Sequence, residues 1–452
     1  MPISSLNKNT FDSELKGKTS LSCPALHHEI YLGPDEVRTC CKRFFVHGEK
    51  KGDVVLKTIK PHEEVTTEII LTEKQKLLSK INNGEKNDCD GCPFLERKEW
   101  PDLTTLSVKH ISFEHHSICN MKCTYCNDTY YGGQKPNYDV SKLIADLFNK
   151  GALSNCESVV WGGGEPGIGK NFSKLINEVS EKLVLKDHMV LTNALEYNDD
   201  VKKLLDLGAL KITTSIDAGF KETFSTVRGH NGKSGLHKVL SNLKSYAESN
   251  PENVIIKYIF TEGNSSRSEL TKFCENIEKY KLLDCPFQLS YDFEKENVSA
   301  EDLVTLIILR QKLISAGAQN VFFDDLLWMR IGAVYESNKG LIDQKLVDLK
   351  IKDSLAYPER YSRVILWGAG QLAVDLISNA HFFKNVHIEY FVDSDPSKWG
   401  TQFLGKDVRD PKLLLENNYP IVISAAQFYP SIIESARKLN MNSSRIVKGL
   451  IL

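Results

Sequence analysis

The sequence predicts an α/β protein: a partial (β/α)6 barrel of TIM type, preceded by a small α+β module and followed by a second, smaller α/β domain. Three observations carry that expectation. Between residue 105 and about 319, apolar strand-like runs alternate with helix-like segments six times, the pattern of parallel βα units. A Gly-x-Gly-x-x-Ala turn from Gly368 to Ala373 leads from an apolar strand into a helix. Five of the eleven cysteines fall in the first hundred residues, ahead of the alternating pattern. At 452 residues the chain exceeds one ordinary core, and boundaries are expected at 1–104, 105–324, 325–360 and 361–452.

Charge is nearly balanced, 57 Lys and Arg against 59 Asp and Glu, so no electrostatic footprint points to nucleic acid or to a membrane surface. Residues 1–20 are polar and lack an apolar signal core, and no later run of about 18 apolar residues occurs. A cytoplasmic protein is expected. Eleven cysteines in such a chain argue for metal or redox use over disulfides.

In the N-terminal module, Cys23 precedes two short strands, 28–32 and 37–41, around a turn made by Gly33, Pro34 and Asp35. The hairpin brings Cys23 close to the far end of the second strand. A helical run near 73–81 follows, then Cys89-x2-Cys92. Adjacent strand residues point to opposite faces, so only one of Cys40 and Cys41 can join Cys23, Cys89 and Cys92. Four such thiols suit either a zinc ribbon or an iron–sulfur cluster.

In the alternating region, strands are expected near 108–113, 157–161, 188–192, 210–216, 253–260 and 287–291. Helices are expected at 140–149, 172–183, 199–207, 236–247, 269–280 and 300–316. Cys119, Cys123 and Cys126 lie on the loop after the first strand, where three thiolates converge on one metal centre. A structural zinc wants a fourth ligand, for which His115 and His116 stand near; a cubane with three protein ligands leaves one iron open. Further polar groups follow later strands: Gly162-Gly163-Gly164-Glu165-Pro166, Thr192-Asn193, Ser215-Ile216-Asp217 and Arg228. Adjacent glycines allow close backbone approach to a ligand. All of these fall at strand C-termini, the end at which such barrels bind ligands.

The Cys-x3-Cys-x2-Cys spacing with Tyr125 before the last Cys, together with Gly163-Gly164-Glu165, resembles the radical S-adenosylmethionine (SAM) superfamily. The resemblance implies a [4Fe-4S] cluster on Cys119, Cys123 and Cys126 beside Tyr125. It implies SAM held by Gly163, Gly164 and Glu165 at its amino group, by Ser215 and Asp217 at its ribose, by Arg228 near its carboxylate, and by Thr192 and Asn193. The N-terminal module resembles the twitch module, a half-size relative of the SPASM domain. That implies an auxiliary [4Fe-4S] cluster on Cys23, Cys40, Cys89 and Cys92, although Asp35 stands where those relatives have Gly. The implied chemistry is reductive SAM cleavage to a 5′-deoxyadenosyl radical that abstracts hydrogen, with flavodoxin or ferredoxin as reductant.

Residues 325–360 read as linking helices closed by Pro358. Beyond them, Gly368, Gly370 and Ala373 form the turn, and Asp393 ends the next strand about 20 residues on, as in a dinucleotide fingerprint. Segments 421–425, 429–439 and 445–447 complete one mononucleotide-binding half. The unit resembles small Rossmann-like domains of sugar acyltransferases and surface-polysaccharide enzymes, which implies a nucleotide-sugar substrate, with oxidation favoured. Peptide or protein modification, a zinc-stapled nucleotide-sugar scaffold without catalysis, and a docking role for the last domain remain open. Cys156, Cys274 and Cys285 read as small buried hydrophobes.

Overall fold

The computed structural model describes residues 19–452 apart from 42–43, 47–48, 128–130, 231, 233, 293, 296 and 425–428; the polar start, residues 1–18, lies outside the described residues. No described helix is long and apolar enough to cross a membrane. Two units form, one from residues up to Asn120 with Cys126–Thr192 and Asn198–Lys211, the other from Met121–Tyr125, Asn193–Tyr197 and Ile212–Leu452.

The first unit runs β1 (Ser20–Ser22), α1 (Pro24–His28), β2 (Glu29–Leu32), β3 (Glu36–Arg38), β4 (Phe44–Val46), β5 (Glu49–Lys51), β6 (Val55–Thr58), α2 (Thr67–Asn83) and β7 (Glu96–Lys98). It continues with β8 (His110–Phe113), α3 (Val140–Asn149), β9 (Ser158–Trp161), α4 (Phe172–Lys182), β10 (Asp187–Leu191) and α5 (Asp199–Asp206). Strands β2, β8, β9 and β10 are parallel neighbours, and β3 and β6 extend the sheet antiparallel beyond β2. The boundary expected near 104 is therefore not a break. Ile30 pairs with Ile111 and Leu32 with Phe113, so the N-terminal hairpin continues the same sheet. The cause is β2 itself, whose Ile30, Tyr31 and Leu32 are all buried, as in a strand covered on both faces. Helix α2 starts earlier than its apolar periodicity indicates, because the Thr66 hydroxyl caps the Ile69 amide; Gly84, at φ 70°, ends it.

The second unit holds β11 (Lys211–Ser215, the first residue counted with the other unit), α6 (Lys221–Val227), α7 (Gly235–Tyr246), β12 (Val254–Phe260), α8 (Arg267–Lys279), β13 (Phe287–Tyr291), α9 (Ala300–Ala316), β14 (Val321–Phe323) and α10 (Asp325–Asp348). Strands β11 to β14 are parallel in chain order. A capping box between Ser299 and Asp302 begins α9, and Gly317 at φ 114° ends it. The alternation of parallel strands and helices is the α/β arrangement of a partial barrel. Strand β14 and helix α6, too short to show a period, escape the sequence reading.

The expected linker is mostly one helix, α10, irregular at Asn338. Beyond it lie β15 (Arg363–Trp367), α11 (Gln371–Asn379), β16 (His387–Val392), β17 (Gln402–Phe403), β18 (Lys406–Arg409), β19 (Ile421–Ile423) and α12 (Tyr429–Lys438). Their sheet order is β17-β18-β16-β15-β19, with only β17 antiparallel to its neighbour. Side chains of β15 alternate between two cores, Val364 and Leu366 on one face, Ile365 and Trp367 on the other. Gly332 on α10 lies where a Cβ would stand 2.1 Å from the Asn379 carbonyl, which lets α10 cross the end of α11 closely.

Candidate functional site

The loop after β8 is fixed by the glycines after β9. Gly162 N donates to Phe113 O at 2.9 Å, Gly164 N to His116 O at 2.9 Å and Glu165 N to Ile118 O at 2.8 Å, a ladder that delivers the chain to Cys119. A Cβ on Gly163 would lie 2.7 Å from His116 O, and one on Gly164 2.2 Å from Ile118 O. The side-chain space these glycines leave is thus filled by the cysteine loop. Glu165 is buried, and the Thr192 hydroxyl donates to its carboxylate at 2.7 Å. His116 is buried and His115 half-buried beside the loop; burial lowers the His115 pKa to about 3 and that of His116 as well. The His116 Nδ1 accepts from the Ile118 amide at 3.3 Å, so this ring braces the loop.

In the second unit, residues 121–125 are held by the ends of β11 and α6. The Cys123 thiol lies 3.7 Å from Arg228 O, and Thr124 N donates to Val227 O at 2.9 Å. Gly229 has φ 60°, and a Cβ there would meet Lys122 O at 2.0 Å. Asp217, itself at φ 57°, is wholly buried and accepts from the Tyr125 hydroxyl at 2.5 Å and the Ile259 amide at 2.6 Å. The Arg228 guanidinium pairs with it at 3.0 Å and also donates to the Tyr125 hydroxyl. Burial pushes the Asp217 carboxyl well above the usual range, while the Ile259 amide opposes that shift. The adjacent guanidinium supplies the compensating charge.

Asp217, expected at the ribose, is thus engaged within the protein. Its carboxylate has no exposed face and is spent on locking Tyr125 and Arg228. Ser215 is half-buried at the end of β11. The Arg228 Nε is buried without an acceptor among the described residues, which suits an anion approaching from outside the triad. Asn193 is buried, with its Oδ1 accepting from Leu195 N at 2.9 Å.

The N-terminal thiols also gather. Cys23, at the N-terminus of α1, Cys40 and Cys92 pack against the apolar cluster that contains Cys89. Burial first, then the neighbouring Cys23, Cys92 and Cys40, push the Cys89 thiol up to about 12. Cys41 faces elsewhere, toward the Tyr31 hydroxyl, Arg38 and Glu114. The tertiary structure thus groups Cys40, not Cys41, with the other three. Among the described residues, no three Cys, His, Asp or Glu side chains close around a single ion.

Two charged residues beside these groups carry no sequence motif and escape the sequence reading. Arg38 pairs with Glu114 at 2.6 Å and Asp53 at 3.2 Å, joining the hairpin to the start of the cysteine loop. Lys74 on α2 is fully buried, and its ammonium donates to the Leu26 and Glu29 carbonyls and the Thr39 hydroxyl, each at 2.8 Å. Burial pulls its pKa down to about 7, opposed by Glu29 and by the Cys23 and Cys40 thiols nearby. Lys74→Met is expected to cost about 3 kcal/mol or more, since the carbonyls lose their donor in a dry site. Urea denaturation checks this, and a cost below about 1 kcal/mol would remove Lys74 as the organiser of the module.

In the last unit, the glycine turn closes on itself. Asp393 accepts from the Ala369 amide at 2.8 Å and from Lys398 at 2.9 Å through one oxygen, and from the Asp395 amide at 2.9 Å through the other. Both oxygens of Asp393, expected at a ribose, thus clamp the turn. Gly368, at φ 113°, needs its glycine; Ala373 is buried in the core; Gly370 has open space beside it.

Residues 113–274 match the Radical SAM superfamily, and residues 360–447 match the family described as C2185-like, N-terminal. The GTP 3′,8-cyclase of Mannheimia succiniciproducens is 25% identical over 237 residues, covering 49% of this chain and 69% of that one. That of Yersinia pestis is 23% identical over 206 residues, 45% of this chain and 61% of the other. Solved structures with partial likeness include native anSMEcpe with bound AdoMet and Cp18Cys peptide, at TM-score 0.37 and 18% identity over 47% of this chain and 62% of that one. Streptococcus suis SuiB gives TM-score 0.39 and 15% identity over 57% and 54%. Residues 113–274 are a radical SAM superfamily domain, and the chain is an enzyme whose cofactors are a [4Fe-4S] cluster and S-adenosylmethionine.

Proposed function

We propose that Cys119, Cys123 and Cys126 hold the SAM-binding cluster and that the enzyme oxidises a nucleotide-linked sugar in the cytoplasm. The observation that carries this is the pair of clamps on the cysteine loop: the Gly162–Glu165 ladder before Cys119, and the Tyr125–Asp217–Arg228 triad around Cys123. Preorganisation of this kind suits thiolates that must stand at set positions. With cluster and SAM bound there, a 5′-deoxyadenosyl radical becomes available to take a hydrogen atom from a substrate carbon.

The chain's own residues supply the rest. Glu165, oriented by Thr192, would hold the SAM ammonium, and Gly163 and Gly164 set its position by their packing. Arg228, held in place by Asp217, would offer its Nε to the SAM carboxylate; Thr192 and Asn193 follow β10 and Ser215 ends β11. Loss of one hydrogen atom leaves one further electron and one proton to remove before the oxidation is complete. Cys23, Cys40, Cys89 and Cys92 form the twitch-like site for an auxiliary [4Fe-4S] acceptor of that electron, and flavodoxin or ferredoxin serves as reductant. The nucleotide end of the substrate is assigned to the Rossmann-like unit at 361–452, where Gly370 leaves room at a helix N-terminus. A place in polysaccharide biosynthesis follows from that substrate class.

Anaerobic incubation with SAM, dithionite and a panel of nucleotide sugars should yield 5′-deoxyadenosine and a product lighter by two hydrogens. Glu165→Gln keeps the Thr192 contact and removes the charge, so SAM affinity should fall about tenfold with little change in melting temperature. Tightly bound zinc with no iron, or equal SAM affinity in the variant, would reject these roles. A modified peptide in place of a modified sugar would move the enzyme to peptide chemistry.

A further inference from the structure

A cavity of about 550 Å³ lies between α9, β14 and the C-terminal sheet, within the second unit. That volume is in the range of small-molecule sites, roughly 300–1,000 Å³. Ser424, on its wall, directly follows β19 and donates to the Trp367 and Gly368 carbonyls at the end of β15. The chain leaves β15 toward β16 on one side and returns as β19 on the other. The cavity therefore reaches the crevice where strand order reverses, the place at which open α/β sheets take ligands.

Its chemistry is asymmetric. Arg310 of α9 lines one side, makes no ion pair or hydrogen bond with any described residue, and has a buried Nε without an acceptor. Burial brings its pKa down only to about 10, so it stays charged at neutral pH. The two acids in the wall do not neutralise it: Asp353 pairs with Arg360 at 3.0 Å, and Asp375 accepts from Gln371 at 2.9 Å. The buried Asn320 side chain also bonds no described residue, and Lys448 adds a second cation. Trp328, Leu372 and Tyr429 make an apolar, partly aromatic wall. The C-terminal edge of the cavity is built firmly, with Ala356 N donating to Leu450 O at 2.9 Å and Leu450 N to Ser354 O at 2.7 Å. A half-buried guanidinium whose Nε is buried without an acceptor is favoured to pair with an arriving anion.

The geometry points to a nucleoside phosphate as the occupant, its phosphate oxygens on Arg310 with Lys448 beside them and its base against Trp328 and Tyr429. This site is separate from the Gly370 turn, and it stands whether or not the barrel acts on the bound molecule. Calorimetry of the full-length protein as purified, against ADP, GDP, UDP and inorganic phosphate, tests it. At least one nucleotide should bind, Arg310→Met should weaken it about 10- to 100-fold, and exposed Lys448→Glu, which leaves the fold intact, should also weaken it. Binding of none of the four, phosphate as tight as every nucleotide, or full nucleotide affinity in Arg310→Met would overturn the assignment. Because no radical chemistry is read, failure of 5′-deoxyadenosine formation and failure of this site are distinguishable.

Discussion

Protein with Cys119, Cys123 and Cys126 all replaced by alanine should reconstitute with about half the iron of the parent chain, roughly four atoms against eight, and release no 5′-deoxyadenosine. The expectation follows from two separate thiol groups, one on the loop after β8 and one around Cys89. Replacing Cys23, Cys40, Cys89 and Cys92 should remove the other half while leaving SAM cleavage measurable. Cys41→Ala should lose no iron, because its thiol faces Tyr31 and Arg38. Iron and acid-labile sulfide assays read all three variants. Unchanged iron in the triple variant would remove the loop as a cluster site.

Asp217→Asn should destabilise the chain by about 3–5 kcal/mol, the cost of leaving a buried charge without its partner. Asparagine tolerates the positive φ of this position, so the backbone is not what fails. What fails is the compensation of Arg228, 3.0 Å away, and the hold on Tyr125 beside Cys123. Arg228→Gln in the same background should recover part of the loss, since removing both partners leaves no orphan charge. A double-mutant cycle by chemical denaturation isolates the coupling. A loss under about 1 kcal/mol in Asp217→Asn would mean that the triad does not hold the loop.

Most of the barrel elements are legible because apolar periodicity is a local property. Helices 140–149 and 300–316 agree to the residue with α3 and α9, and strand 287–291 with β13. The cysteine loop and the Gly-Gly-Glu turn are legible for the same reason, since spacing along the chain carries them. The roles within them are not. Gly163 and Gly164 read as room for a ligand, and only the approach of the 116–118 backbone shows what fills that room. Asp217 and Asp393 read as ribose contacts by position, and only their partners reveal both as internal clamps.

The sequence by itself determined the order of the elements, the two cysteine groups and the strand ends where chemistry gathers. These depend on periodicity, turn residues and the identity of thiols, all encoded within a few residues of one another. Tertiary structure alone decided which of Cys40 and Cys41 joins Cys89, and that β2 extends the sheet beside β8. It alone brought Lys74 to the carbonyls of α1 and β2, and placed Arg310 on a cavity wall with its Nε unpaired among the described residues. Each depends on which residues distant in the chain share one dehydrated volume, where an unpaired charge or thiol acquires an energy that it lacks in water.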